Sequence, residues 1–140
     1  MRERERWVCP KCGRRLRIAN QEHVCGLFDL DSRFERKDPL GRIAFDWMLH
    51  SLGKLPYDLL PMKTMIAFAA GEGNFAFLRT KKWGAEISLV LQEAPSGPSP
   101  FASVPYSRSK TIYRFRVGAE SDLDGALRGL LLSAYRPPNG

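Results

Sequence analysis

Four residues of this 140-residue chain have the types and spacing of a metal site: Cys9, Cys12, His23 and Cys25, in the pattern Cys-x2-Cys-x10-His-x-Cys. Soft sulfur and nitrogen donors set as two close pairs suit tetrahedral zinc. All three cysteines of the protein fall in this short stretch. They cannot all pair as disulfides within one chain, and a reducing compartment would keep them as thiols. Cys9-Pro-Lys-Cys-Gly13 has the form of a zinc knuckle, with Gly13 free to take a positive φ where the chain turns back. A redox Cys-x2-Cys is the rival. It would normally open a helix in a βαβ setting, whereas Arg14-Arg-Leu-Arg17 reads as a short strand, and the third cysteine would have no role. A closed Cys3His set leaves no open coordination position, so one structural Zn2+ is expected rather than a catalytic one.

Basic side chains crowd this segment. Residues 1–26 carry Lys11, Arg14, Arg15 and Arg17 with three further arginines, against three glutamates. A segment this short cannot bury enough apolar surface to fold alone, so the metal would take the place of a core. Zinc knuckles commonly bind single-stranded nucleic acid by pairing cations with an exposed aromatic ring. Trp7 is the ring in reach; it either stacks on a base or packs against the protein.

The elements that follow read as one α+β domain over residues 36–140, joined by a linker at 27–35. Asp38-Pro39 has the form of a helix start, with Asp as cap and Pro at the first position. Leu40, Ile43, Ala44, Trp47, Met48 and Leu52 then recur at helical spacing, and Gly53 ends the pattern. His50 lies off that stripe. From Tyr57 to Val117 the period changes to two. Strands are expected around Ile66 and Phe68, Phe75 and Phe77, Ile87 to Leu91, and Tyr113 to Val117. Turns are expected at Gly71-Glu-Gly73 and Lys81-Lys-Trp-Gly84. Four prolines in 92–105 predict a loop excluded from the sheet. Ser121 with Asp124 resembles a capping box, before a final helix carrying Leu123, Leu127, Leu130, Leu131 and Ala134. Gly125 and Gly129 weaken that helix unless they let it approach the sheet closely. The sum is an antiparallel sheet with two helices on one face, preceded by the knuckle at 1–26.

If Ile66, Phe68, Phe75, Phe77, Ile87, Leu89, Tyr113 and Phe115 face the helices, the other face displays Lys63, Met65, Ala67, Leu78, Glu86, Val90, Lys110, Ile112, Arg114 and Arg116. This mixture of cations and apolar groups suits a nucleic-acid backbone, a partner protein, a second copy of the chain, or plain solvation. Lys63, Arg79 and Lys81, close in sequence, could also gather into an anion site.

The whole chain holds 22 Lys and Arg against 15 Asp and Glu. The surplus lies in residues 1–26 and 53–117, the knuckle and the expected sheet, while the helical segments are slightly acidic. Such a distribution favours phosphate partners, DNA or RNA. No apolar run approaches the roughly 20 residues of a membrane span, and the charged start Met1-Arg-Glu-Arg-Glu-Arg6 lacks the apolar core of a signal peptide. The expected location is the cytoplasm, with no membrane partner.

Catalytic constellations are sparse. The cysteines and His23 are committed to zinc, so no nucleophile sits beside a histidine base. Glu86 is followed by Ile87-Ser88, not by the Glu-x-Lys of a restriction-type nuclease. Gly71-Glu-Gly73 is a hairpin turn, not a phosphate loop. These features point to a non-enzymatic, zinc-containing binding protein with nucleic acid as the leading ligand. The alternative is a protein–protein adaptor or self-associating module using the outer sheet face. An enzyme with its site between the sheet and the Pro-rich loop is a third reading.

Trp7-Val-Cys-Pro-Lys-Cys-Gly13, Asn20-Gln-Glu-His-Val-Cys25, Lys63-Thr-Met-Ile-Ala-Phe68, Phe75-Ala-Phe77 and the Asp122-to-Tyr135 segment together resemble the bacterial family called domain of unknown function 5655. The resemblance extends over nearly the whole chain. It implies the α+β fold and a bound metal, and it carries no catalytic residues. The same domain also occurs appended to nuclease-like and transport-related proteins.

Overall fold

A computed structural model describes residues 7–8, 15–16, 34, 38–62, 64–71 and 73–135. The four residues expected to bind zinc, Cys9, Cys12, His23 and Cys25, lie outside the described residues, as do Lys11, Arg14, Arg17 and Lys63. Two short strands, β1 (Trp7–Val8) and β2 (Arg15–Leu16), pair antiparallel with Trp7 opposite Leu16 and Val8 opposite Arg15.

Helix α1 (Pro39–Leu52) starts as its sequence dictates. The Asp38 carboxylate accepts a hydrogen bond from the Leu40 amide at 2.8 Å, and Pro39 gives up no donor that the helix needs. Gly53 ends it with φ +57°. Leu40, Ala44, Phe45, Met48 and Leu52 are buried. Ile43, expected on the buried stripe, is exposed; Phe45 takes its place in the core.

Six strands follow: β3 (Asp58–Pro61), β4 (Ile66–Ala70), β5 (Gly73–Lys81), β6 (Gly84–Leu91), β7 (Ala102–Pro105) and β8 (Thr111–Val117). They form one antiparallel sheet in the order β3-β4-β5-β6-β8-β7. Helix α2 (Gly125–Ala134) joins α1 over β5 and β6, so both helices cover one face. The expected two-layer α+β architecture holds.

The sheet interior departs from the sequence reading in one respect. Phe68 pairs with Ala76, but Ala69 pairs with Asn74, so Phe75 is an extra residue, a β-bulge. A bulge resets the alternation. Phe75 still faces the core, where its ring lies 6.3 Å from that of Phe68 and 5.3 Å from that of Tyr135. Beyond it the parity flips. Leu78, expected outside, is buried beneath the helices; Phe77, expected inside, stands on the open face.

Residues 102–105 also differ from expectation: they form β7 rather than loop. Proline is tolerated there because β7 is the sheet edge, where one side of the strand needs no ladder donor. The start of α2 is simpler than a Ser121–Asp124 box. A 3-10 turn at Glu120–Asp122 precedes it, and Asp124 itself caps the helix, accepting from the Leu127 amide at 2.9 Å.

Gly125 and Gly129 do not serve a close helix–sheet contact: a Cβ at either would meet nothing within 4 Å. Gly41 of α1 does, since a Cβ there would lie 3.0 Å from Thr80 Cγ2. Gly129→Ala is therefore expected to stabilise the protein by about 0.5–1 kcal/mol, through helix propensity and a less flexible unfolded chain. A rise in the urea midpoint at unchanged m-value is the outcome to look for.

Candidate nucleic-acid interface

The face of the sheet turned away from the helices brings together two of the sequence-expected cations, Arg114 and Arg116. Four strands set its rows. Arg79 on β5 lies opposite Glu86 on β6, which lies opposite Arg116 on β8. In the next row Phe77, Ser88 and Arg114 are neighbours, followed on β7 by Ala102. Val90, Ile112 and Val104 form the third row. Side chains two apart on a strand share a face, so all three rows look outward together.

The middle of this surface is hollow for a local reason. Ser88 is small, and it stands between Phe77 and Arg114, whose strands are roughly 10 Å apart at the usual spacing. A cavity of about 210 Å3 results, with Ser88 in its lining, apolar walls from Met65, Phe77, Val104 and Ile112, and Arg79 and Arg114 at its rim.

Charge on this face is ordered by one carboxylate. Glu86 is only 6% exposed and receives Arg114 Nη2 at 2.7 Å. A charge-assisted contact of this kind offsets the cost of burying the carboxylate and holds the guanidinium in place. Phe101, on the approach to β7, lies against both β8 arginines, with ring-centre distances of 4.9 Å to Arg114 Cζ and 4.5 Å to Arg116 Cζ. Its backbone amide donates to the Arg114 carbonyl at 2.9 Å, which keeps the ring beside them. Cation–π contacts let the guanidinium heads spread over an aromatic surface instead of folding back.

Of the expected cations, Arg114 and Arg116 are thus brought together. Lys110 lies apart, at the far end of β8 beside Tyr106 and Val90. Arg79 joins the cluster through the register of β5 with β6, while Lys81 sits at the turn opposite Gly84. Arg15 and Trp7 lie on the small β1–β2 ladder. Phe77, Phe101 and Ser88 were absent from the sequence-derived set. Alternation alone put Phe77 inside, and Phe101 sat in the stretch read as loop.

A second, larger hollow of about 450 Å3 lies between the Pro-rich segment and the start of α2, with Arg116, Asp122 and Asp124 among its walls. Its carboxylates already hold backbone amides: Asp122 accepts from Gly118 and Ala119 at 2.9 and 3.1 Å, and Asp124 caps α2. They secure the turn and the helix start.

The fold and its open face define a class: a two-layer α+β protein with one sheet face covered by helices and the other lined by arginine and aromatic side chains. Residues 48–137 match the family described as Domain of unknown function (DUF5655), and the chain belongs to that family. The match begins within α1 and leaves residues 1–47 outside, a shorter span than the sequence resemblance suggested. No curated protein and no solved structure gives a significant match. Among the described residues no helix is long and apolar enough to cross a membrane.

Proposed function

We propose that this protein is a non-enzymatic nucleic-acid-binding protein, with one structural zinc in its N-terminal segment and the open sheet face as its main contact surface. The observation that carries this reading is the gathering of Arg79, Arg114 and Arg116 around a single carboxylate, Glu86, with Phe77 and Phe101 among them. Cations supply sequence-independent attraction to phosphate, and aromatic faces add stacking that tolerates any base. The basic N-terminal segment, with Arg14, Arg15 and Arg17, extends the same chemistry.

Short DNA and RNA strands are expected to bind at low salt, with affinity falling steeply as salt rises. For single strands the slope of log K against log salt is about −0.7 per phosphate contact. Replacing Arg79 and Arg116 together by Gln should therefore reduce it by roughly 1.4, and replacing Arg14, Arg15 and Arg17 by Ala by roughly 2. Absence of binding at low salt, or a slope indifferent to both sets, would transfer the assignment to a protein–protein adaptor.

The zinc rests on the donor set. Three thiolates and an imidazole at Cys9, Cys12, Cys25 and His23 match the ligand chemistry of a closed structural site. Elemental analysis is expected to return one zinc per chain, and none for Cys12→Ser. Circular dichroism of Cys12→Ser should retain the helix and sheet signal, because among the described residues the core is built from α1, the six-stranded sheet and α2. Metal-free wild-type protein, or collapse of all secondary structure in the variant, would contradict it.

A further inference from the structure

We propose that the hollow over Ser88 is a seat for one unpaired base of a single nucleic-acid strand, stacked on Phe77, with the adjoining backbone held by Arg79 and Arg116. This rests on the nucleic-acid reading above and narrows it from nucleic acid in general to single strands.

Size is the first reason. The cavity of about 210 Å3 is smaller than the roughly 300–1,000 Å3 typical of pockets for whole drug-sized ligands or cofactors. It has room for one flat ring system, entered from the open face. Its make-up is the second reason. The walls are apolar and one of them is the Phe77 ring, as a stacked base requires, while Ser88 offers a hydroxyl that can both donate and accept. Bases are read in this way when they are splayed out of a strand onto aromatic side chains.

Charge complementarity is the third. Arg114 is engaged by Glu86 at 2.7 Å, whereas Arg79 and Arg116 flank that carboxylate from the two neighbouring strands. Positive charge therefore stands on both sides of Glu86, with Arg79 in the wall of the hollow and Arg116 one row from Arg114 on the same face, where the backbone on either side of a seated base would run. A duplex keeps its bases paired and stacked, and flipping one out costs a few kcal/mol, so duplex should occupy the surface without filling the seat.

The test is fluorescence anisotropy at fixed low salt. The probes are labelled pyrimidine strands of about ten nucleotides in ribose and deoxyribose form, an abasic strand of the same length, and a duplex. Base-bearing strands are expected to bind roughly tenfold more tightly than the abasic strand and the duplex, a difference of about 1.4 kcal/mol. Ser88→Leu fills the floor from the solvent side and should bring the base-bearing strands to the abasic level at an unchanged salt slope. Phe77→Ala should do the same by removing the stacking surface. The ribose and deoxyribose strands decide which sugar the face prefers.

Equal, salt-dependent affinity for all four probes overturns the base seat while leaving the wider reading in place. No binding by any probe overturns both. A sedimentation experiment showing a dimer that Ser88→Leu dissociates would also overturn the seat, since a second copy of the chain would then cover the face.

Discussion

Gly84→Ala is expected to lower the unfolding free energy by about 3 kcal/mol or more, because it adds a methyl group where the backbone leaves no room for one. Gly84 opens β6 with φ +151°, a conformation that L side chains rarely adopt. Its missing side chain also matters sterically. A Cβ would collide with the carbonyl oxygen of Val117 and would lie at ordinary contact distance, 3.4 Å, from Leu40 Cδ2. The first of these is backbone at the end of β8, paired through Ala85 and Val117, so it cannot swing aside. The second is the first buried residue of α1. One methyl group would therefore strain the β5–β6 turn and the β6–β8 ladder together. Urea denaturation of Gly84→Ala beside Gly129→Ala makes the comparison internal, since the same chemical change should act with opposite sign. A loss below about 1 kcal/mol would mean that the end of the β6–β8 ladder yields more readily than a close-packed sheet should.

Arg114→Met is expected to cost about 2–4 kcal/mol, and most of that loss should be recovered in the double variant Arg114→Met with Glu86→Gln. The single change strands a carboxylate whose side chain is only 8% exposed, without its 2.7 Å partner. The Arg114 side chain is itself 28% exposed, which places the effect toward the lower part of that range, because water screens part of the lost attraction. Neutralising Glu86 removes the stranded charge. The two changes should thus be strongly non-additive in a double-mutant cycle. Additive losses would show that Arg79 and Arg116, which face Glu86 in the register, already satisfy it. Either result measures how tightly the arginine cluster is organised before any ligand arrives, which bears on the entropy that binding must overcome.

Much of the architecture was legible in local sequence. Asp38-Pro39 and Gly53 bracket α1 because capping, a fixed proline φ and a glycine stop act within a few residues. Hairpin turns at 71–73 and 81–84 were marked by glycines, and the apolar stripe of Leu127, Leu131 and Ala134 faces the core as its spacing requires. The presence of arginines on the uncovered face could also be read, since Arg114 and Arg116 alternate with the buried Phe115 and Val117.

Other features depended on pairing between distant segments. The bulge at Phe75 has no unambiguous local signature; it arises where Ala69 and Asn74 meet across the β4–β5 ladder. That single extra residue sends Leu78 into the core and Phe77 out to the open face, opposite to simple alternation. The edge strand at Ala102–Pro105 exists because β8 offers it a partner on one side, and proline is harmless on the other. Glu86, 28 residues from Arg114 in sequence, becomes its partner only through the register of β6 with β8.

From its own residues, then, the chain determined the boundaries of α1, the two-layer class, the placement of its positive charge and the Cys3His donor pattern, all properties of short-range sterics, capping and composition. Tertiary structure alone decided that Phe77, Ser88 and Arg114 lie in one row, that Glu86 has arginines on both sides, and that a hollow opens between them. The physical reason is that a strand's alternation says only which residues share a face. Which face that is, and which neighbours it meets, is settled by hydrogen-bonded register, and one bulge suffices to reverse it.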